Sequence, residues 1–457
     1  MSTRWMTAAL DYIPEWLEFQ MRFHEQPGCS AALVHKGKLV WKAAYGHANA
    51  GRGVPLTTRH RFRVASHSKT FTSAGFLKLR EQGKVRLDDP VSQYLSGLHR
   101  SVGEATIGQL LSHSAGIVRD GFDSGQWADR RPFLSERELL ADLEGGTTLP
   151  PSSRFKYSNH GDGLAGLVLE AITGESYGTW IQREIVDAAG LGETYPDTPL
   201  PKGVPMASGH STKVVLGHRR IVPGDNPTHA LAPATGFVST ATDLATFFAH
   251  LAPNARRSIL SPASRREMVR RQWTSEHSRV ERHYGYGTIS GRMGDWNWFG
   301  HSGGFQGFIT NTAVIPAQDL SLSILTNAAD GMSGAWLEGA VHVLRAFHEH
   351  GAPTRRAASW GGRWWSLWGA TDFIPMGSKV YVGHPSLPNP LMDAGVIEPT
   401  GRDTGRIALD NGFANHGEMV RRVRNAKGNV AEFWYAGGKL VSERRLAREM
   451  ETRYKKR

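Results

Sequence analysis

The chain has 457 residues, 40% of them hydrophobic and one of them cysteine. That length exceeds a single ordinary core and fits two or three domains, and a lone cysteine excludes both a disulfide framework and a multi-cysteine zinc cluster. The net charge of +12 invites an anionic polymer or acidic membrane as partner, but residues 352–457 hold 18 basic and 10 acidic residues, leaving a surplus of only +4 for the first 351.

Residues 5–23 read as an amphipathic helix, with Trp5, Leu10, Ile13, Trp16, Leu17 and Met21 recurring every three to four positions. Asp11, Glu15 and Glu18 break any secretory h-region, and no apolar run reaches the roughly 20 residues of a membrane span. The expectation is a soluble cytoplasmic protein.

Pro27-Gly28 stops the helix. Two β-type runs follow, joined by His35-Lys36-Gly37-Lys38 as a hairpin. A strong helix is predicted over Ser68–Gln82, with Gly83 closing it. Further helical patterns cover 104–112, 136–143, 161–173, 177–190 and Ala241–Leu251. From Tyr284 the pattern changes to consecutive strands, YGYGTISG, WNWFGHSGG, GFITNTAVIP and LSLSILTNA, then a helix at about 334–349. A hairpin first, helices in the middle and strands late indicate an α+β layer arrangement rather than alternating βαβ units.

After Gly351-Ala352-Pro353 come short β-like runs: RWWSLWGATDFIP, SKVYVGH, GRIAL, MVRRVR, VAEFWYA and KLVSERRL. They predict a small antiparallel barrel or sandwich with a basic tail. The domains expected are therefore 1–351 and 352–457.

Three motifs bear chemistry. Ser66-His67-Ser68-Lys69 is an S-x-x-K at a helix entrance, where one turn puts Ser66 and Lys69 on the same face. A serine hydroxyl needs a neighbour to take its proton, and a desolvated lysine can do so. The helix start also offers backbone N–H groups to a developing oxyanion. Tyr157-Ser158-Asn159 supplies a phenol that can relay a proton and an amide that can bind an amide. His301-Ser302-Gly303-Gly304 lies on an expected strand, where glycines admit a substrate backbone to the edge. Each motif alone is weak.

Together, in this order, they resemble the serine β-lactamase and penicillin-recognising family. The branch is that of class C enzymes, D,D-carboxypeptidases, D-aminopeptidases and related esterases. Leu110-Leu111-Ser112-His113-Ser114-Ala115-Gly116-Ile117, Leu87-Asp88-Asp89-Pro90-Val91 and Gly236-Phe237-Val238-Ser239-Thr240 with Asp243-Leu244 extend the likeness over roughly residues 10–350. The resemblance implies a β-lactamase-like α+β domain, an antiparallel sheet flanked by helices plus an all-helical region. It implies a serine hydrolase that cleaves a small amide, ester or peptide, one with a D-residue among the candidates. Alternatives are β-lactamase activity proper or a non-catalytic ligand-binding member. Ser66 would be the acylated nucleophile, with Lys69 and Tyr157 sharing general-base work. Asn159 would bind the substrate amide, Ser302 would line the substrate strand, and the N–H groups of Ser66 and Gly304 would form the oxyanion hole. No metal or organic cofactor is required, and no nucleic-acid partner is expected. His301 occupies the slot where penicillin-specialised members carry lysine, replacing a fixed charge by a group that titrates near neutrality.

Gly300-His301-Ser302-Gly303-Gly304 also satisfies G-x-S-x-G, the α/β-hydrolase nucleophile elbow, with Ser302 as nucleophile. The elbow requires strand, sharp turn, helix. Here Ile309, Thr310, Thr312 and Val314 predict another strand instead. Trp364, Trp365 and Trp368 are expected to pack in a core.

Overall fold

A computed structural model describes residues 4–222, 224–274, 281–410, 412 and 414–455. The chain divides into two compact units. One is Gln26–Leu337; the other joins the residues up to Glu25 with those from Glu338 onward. That division lies inside a helix, upstream of the change in composition at 352, and it assigns the first helix to the smaller unit.

The first helix, α1 (Arg4–Phe23), buries the predicted stripe at Ile13, Trp16, Leu17 and Met21. In the larger unit β1 (Gly28–His35) and β2 (Lys38–Asn49) form the expected hairpin. Its turn residues Lys36 and Gly37 have φ of 52° and 73°, the left-handed pair that matches strand twist. The late strands are β3 (Ile289–Met293), β4 (Trp296–Phe305), β5 (Phe308–Ile315) and β6 (Leu320–Thr326). The sheet runs β2-β1-β6-β5-β4-β3, and short strands at Val54–Pro55, Trp273–Thr274 and Arg282–Tyr284 bring it to nine. All its pairs are antiparallel. The N-terminal hairpin joins the last strand, with Cys29 opposite Thr326 and Leu33 opposite Leu322. Cys29 is fully buried, and burial raises its thiol far out of the reactive range.

Helices cover this sheet. The central ones are α2 (Ser68–Glu81), α3 (Asn159–Thr173) and α4 (Ala241–Leu251). α4 packs across β1, β6 and β5. α2 runs through the core: Phe71 stacks on Phe237 and Phe247 with centroids at 4.2 and 4.0 Å. The pattern at 104–112 condenses to Ile107–Leu111, behind a separate turn at Arg100–Gly103. The one at 177–190 breaks at Ile181 into a π-helical stretch, Gln182–Asp187. The unit closes with α5 (Ser333–His350), whose later part belongs to the smaller unit.

The smaller unit contains eight antiparallel strands in sequence order. They are β7 (Gly362–Ser366), β8 (Gly369–Met376), β9 (Lys379–Gly383), β10 (Gly395–Pro399), β11 (Thr404–Leu409), β12 (Met419–Arg424), β13 (Val430–Tyr435) and β14 (Gly438–Leu440). Trp365 and Val441 exchange backbone hydrogen bonds of 2.8 and 2.9 Å, so the first and last strands meet and the sheet is a nearly closed barrel. Two local expectations fail. β10 has no counterpart in the sequence reading, because its glycine and proline ends hide a five-residue strand. KLVSERRL is strand only to Leu440; from Glu443 it is helix α6 (Glu443–Arg453), rich in helix formers and laced by Arg445–Glu449 at 2.8 Å. Trp360 fills the barrel core and Trp364 packs on Phe433 at 4.8 Å. Trp368 sits instead at the tip of the β7–β8 hairpin, 97% exposed, where no core reaches it.

Candidate active site

α2 begins abruptly. Ala65, at φ 48°, turns the chain into a single 3-10 turn, Ala65–His67, which carries Ser66 to the head of the helix. Left-handed alanine is unfavourable, so the surroundings must hold it. They do so with buried hydrogen bonds. The Ser68 hydroxyl donates to Ala65 O (2.6 Å) and accepts from Phe237 N–H (3.0 Å). Thr70 donates to Gly287 O (2.6 Å) and Thr72 to Pro233 O (2.8 Å). His67 bridges Val64 O (2.9 Å) and the Thr312 hydroxyl of β5 (3.0 Å). Gly303 lets β4 press against this turn, since a side chain there would collide with the Val64 carbonyl.

Lys69 follows one turn after Ser66 and its side chain is fully buried. Its Nζ donates to Asn159 Oδ1 at 2.8 Å and to Ala234 O at 2.7 Å. Its third direction faces Ser66 Oγ at 3.4 Å. That division has chemical content. Two donors are fixed on acceptors that can only receive, so the remaining position, proton or lone pair, points at the serine. Ser66 itself is partly exposed.

Tyr157 lies over this group, its ring centroid 4.8 Å from Lys69 Nζ. Behind it Ser158 caps α3: its hydroxyl accepts from Gly161 N–H (2.8 Å) and donates to Val118 O (2.6 Å). Asn159 thereby becomes the first residue of α3. Its amide is oriented from both ends, with Nδ2 donating to Asp120 Oδ1 at 2.6 Å. Asp120 also accepts from Trp127 Nε1 (3.0 Å) and pairs with Arg119 (2.9 Å).

His301 is buried and belongs to a hydrogen-bonded chain. Ser158 N–H donates to His113 Nδ1 (3.3 Å), so the His113 proton resides on Nε2, 3.1 Å from the Tyr284 hydroxyl. Tyr284 Oη is 3.1 Å from His301 Nε2, and His301 Nδ1 lies 2.7 Å from Ser302 O. Burial pushes both imidazoles well below the ordinary histidine value, with nearby Lys69 adding to the effect, and pushes the Tyr284 phenol well above its own. His301 is thus a neutral ring with both nitrogens engaged. Ser302 is exposed in the middle of β4, opposite Asn311 of β5. Strand runs into strand through the Gln306-Gly307 turn, so the elbow geometry required by a Ser302 nucleophile is absent.

The structure thus gathers Ser66, Lys69, Tyr157 and Asn159, with His301 tied to them through Tyr284 and His113. Sequence reading did not pick out Asp120, Tyr284, Ala234 or Asp162. Asp162 is only 2% exposed on α3, with Oδ2 3.8 Å from Lys69 Nζ and 4.0 Å from His113 Nε2. An acid inside the apolar run GDGLAGLVLEAI was the available signal.

A family model described as Beta-lactamase matches residues 16–341. The chain belongs to the Beta-lactamase family. Penicillin-binding protein 4 of Amycolatopsis lactamdurans is 28% identical over 327 residues, 66% of this chain and 81% of that protein. Protein flp of Staphylococcus aureus is 27% identical over 188 residues, 39% of this chain, and the match spans only 36% of that protein's length. Among solved structures, a D-stereospecific amidohydrolase from Streptomyces sp. aligns with TM-score 0.58 and 26% identity, covering 71% of this chain and 97% of its own. An octameric penicillin-binding protein homologue from Pyrococcus abyssi aligns over 95% of this chain and 100% of its own, with TM-score 0.66 and 21% identity. That last likeness extends the shared fold through the barrel. This Beta-lactamase family member has the fold of the family's serine hydrolases, and no helix among its described residues is long and apolar enough to cross a membrane.

Proposed function

We propose that this protein hydrolyses small amides or esters, with amides and short peptides of D-residues first among them, through an acyl-enzyme on Ser66. One observation carries the reading: a fully buried lysine whose other donors are fixed points its remaining position at the Ser66 hydroxyl, 3.4 Å away. Lys69 takes the Ser66 proton on its Nζ lone pair as Oγ bonds to the substrate carbonyl carbon, and the carbonyl π electrons move to oxygen. The backbone N–H groups of Ser66 and Gly304 receive that oxyanion. On collapse the C–N or C–O bond breaks and its electron pair leaves with the amine or alcohol, which takes the proton back from Lys69 with Tyr157 as relay. Water then repeats the sequence on the ester. Asn159 binds the substrate amide, and Ser302 with Gly303 and Gly304 lines the strand along which the substrate lies.

The D-residue preference is supported by the 26% identity to the Streptomyces amidohydrolase. Penicillin-type substrates rank lower, although the relationship to a penicillin-binding protein favours testing them. A neutral His301, already bonded on both sides, offers no fixed positive charge to a carboxylate. The deciding experiment runs D-amino-acid amides, short-chain p-nitrophenyl esters and a chromogenic cephalosporin in parallel against the wild type and Ser66→Ala. Turnover of D-amides or esters that vanishes in Ser66→Ala is expected. Equal turnover by both proteins overturns the reading, and turnover of the cephalosporin alone makes the protein a β-lactamase.

A further inference from the structure

Asp162 has no role in the mechanism above, yet it is buried beside the base. Its Oδ2 has no hydrogen-bond partner and lies 3.8 Å from Lys69 Nζ. It cannot be a direct proton acceptor from that lysine, because the three directions of Nζ are taken by Asn159, Ala234 and Ser66. What remains is charge. A buried carboxylate left unsatisfied is costly and requires a compensating reason.

We propose that Asp162 is a positioning residue for the reaction, the buried counter-charge that stabilises Lys69 as an ammonium while it holds the Ser66 proton. The inference rests on Ser66 and Lys69 acting as nucleophile and base. The other groups facing Asp162 are His113, from the segment after Ile107–Leu111, Tyr284 of the strand Arg282–Tyr284, and Tyr177 from the helix Tyr177–Ile181. Burial holds all three neutral, so the cation that answers Asp162 is Lys69. Desolvation also pushes the Asp162 carboxyl up to about 7, against the pull of Lys69. Its charge therefore switches in the range where such an enzyme operates.

The test is the pH dependence of Ser66 phosphonylation by a fluorophosphonate, with the labelled residue identified by peptide mapping. In Asp162→Asn a buried ammonium loses its partner. The acid limb of the rate should move to lower pH by about one unit or more, and the plateau should fall about tenfold, because the protonated base is no longer stabilised. Asp162→Glu, which keeps the charge, should leave the limb near its wild-type position. If Asp162→Asn does not fold, Asp162→Leu carries the same test with no polar group to desolvate. A limb that stays in place while the plateau falls would reduce Asp162 to a packing role and overturn the inference. So would a limb moved equally by Glu and Asn. Labelling of a residue other than Ser66 overturns the catalytic reading and this inference together, whereas label on Ser66 with an unmoved limb overturns this inference alone.

Discussion

The charge pairs that stand out in the two units differ in their surroundings. In the larger, Lys69 and Asp162 are 0% and 2% exposed and approach to 3.8 Å, with a cluster of neutral-held rings around them. In the smaller, the pairs lie near water: Arg445 with Glu432 and Glu449 at 2.8 Å, and Arg424 with Asp403 at 2.9 Å. These pairs are only half-buried, so solvent still screens them in part and each contributes modestly. Two places depart from this: Arg422, 1% exposed and stacked 4.2 Å above Trp360, and Asp372, buried and holding the Arg363 guanidinium at 2.7 and 2.8 Å. The lesson concerns location rather than number. Most of the +12 belongs to the last quarter of the chain, whereas the proposed chemistry rests on one lysine, Lys69, buried in the first 351 residues.

That contrast can be broken in four places. The largest effect belongs to Ser66→Ala and Lys69→Ala, which should each lower turnover by at least roughly a thousandfold. Steady-state kinetics on the best substrate of the panel measure it, and a loss under tenfold in either would detach the buried cluster from catalysis. Next comes the helix that presents them. Phe71→Ala empties the stack between Phe237 and Phe247 and should cost about 3–5 kcal/mol, read as a lower midpoint in urea unfolding.

The third test is pH. Burial lowers His67 to about 4 and holds His113 and His301 well below the usual value. Below about 6.5 the unfolded chain takes up these protons and the native state does not, so native stability falls as pH drops from there toward 4. Asp162, raised to about 7, works the other way: between about 7 and 4 the native state binds its proton first. Asp243, also raised by burial, adds to Asp162, but the three histidines outweigh the two aspartates, and calorimetry should show the melting temperature of the larger unit falling from pH 7 to 5. A flat or rising profile contradicts the neutral assignments. The smallest effect is expected on α6. Arg444→Glu with Arg448→Glu changes the net charge from +12 to +8, two exposed positions reversed by two units each. Turnover should be unchanged and stability should shift by no more than about 0.5 kcal/mol.

Much of the site could be read before any coordinates. Ser66 and Lys69 are three apart across a helix entrance, one in the leading 3-10 turn and one in the first turn of α2, so their nearness follows from local geometry. The hairpin at Lys36-Gly37 and the helix Ala241–Leu251 were likewise local, set by turn chemistry and a capping threonine. What escaped were partners far apart in sequence. Asp120 reaches Asn159 across 39 residues, Ala234 reaches Lys69 across 165, and Tyr284 reaches His113 across 171. Trp368 escaped for a related reason: an aromatic residue at a hairpin tip has the same letter as one in a core.

The sequence by itself determined the family, through the resemblance carried by Ser66-His67-Ser68-Lys69, Tyr157-Ser158-Asn159 and His301-Ser302-Gly303-Gly304 in that order. It also determined most elements, because periodicity and capping are local properties. Only the tertiary structure decided which groups are dry. Folding buries Lys69 against Asn159, Ala234 and Asp162, and turns His301 into a neutral link between Tyr284 and the Ser302 backbone. Whether such a group is charged depends on the free energy of removing water from it and on the partners that replace that water, and neither is written in any short stretch of the chain.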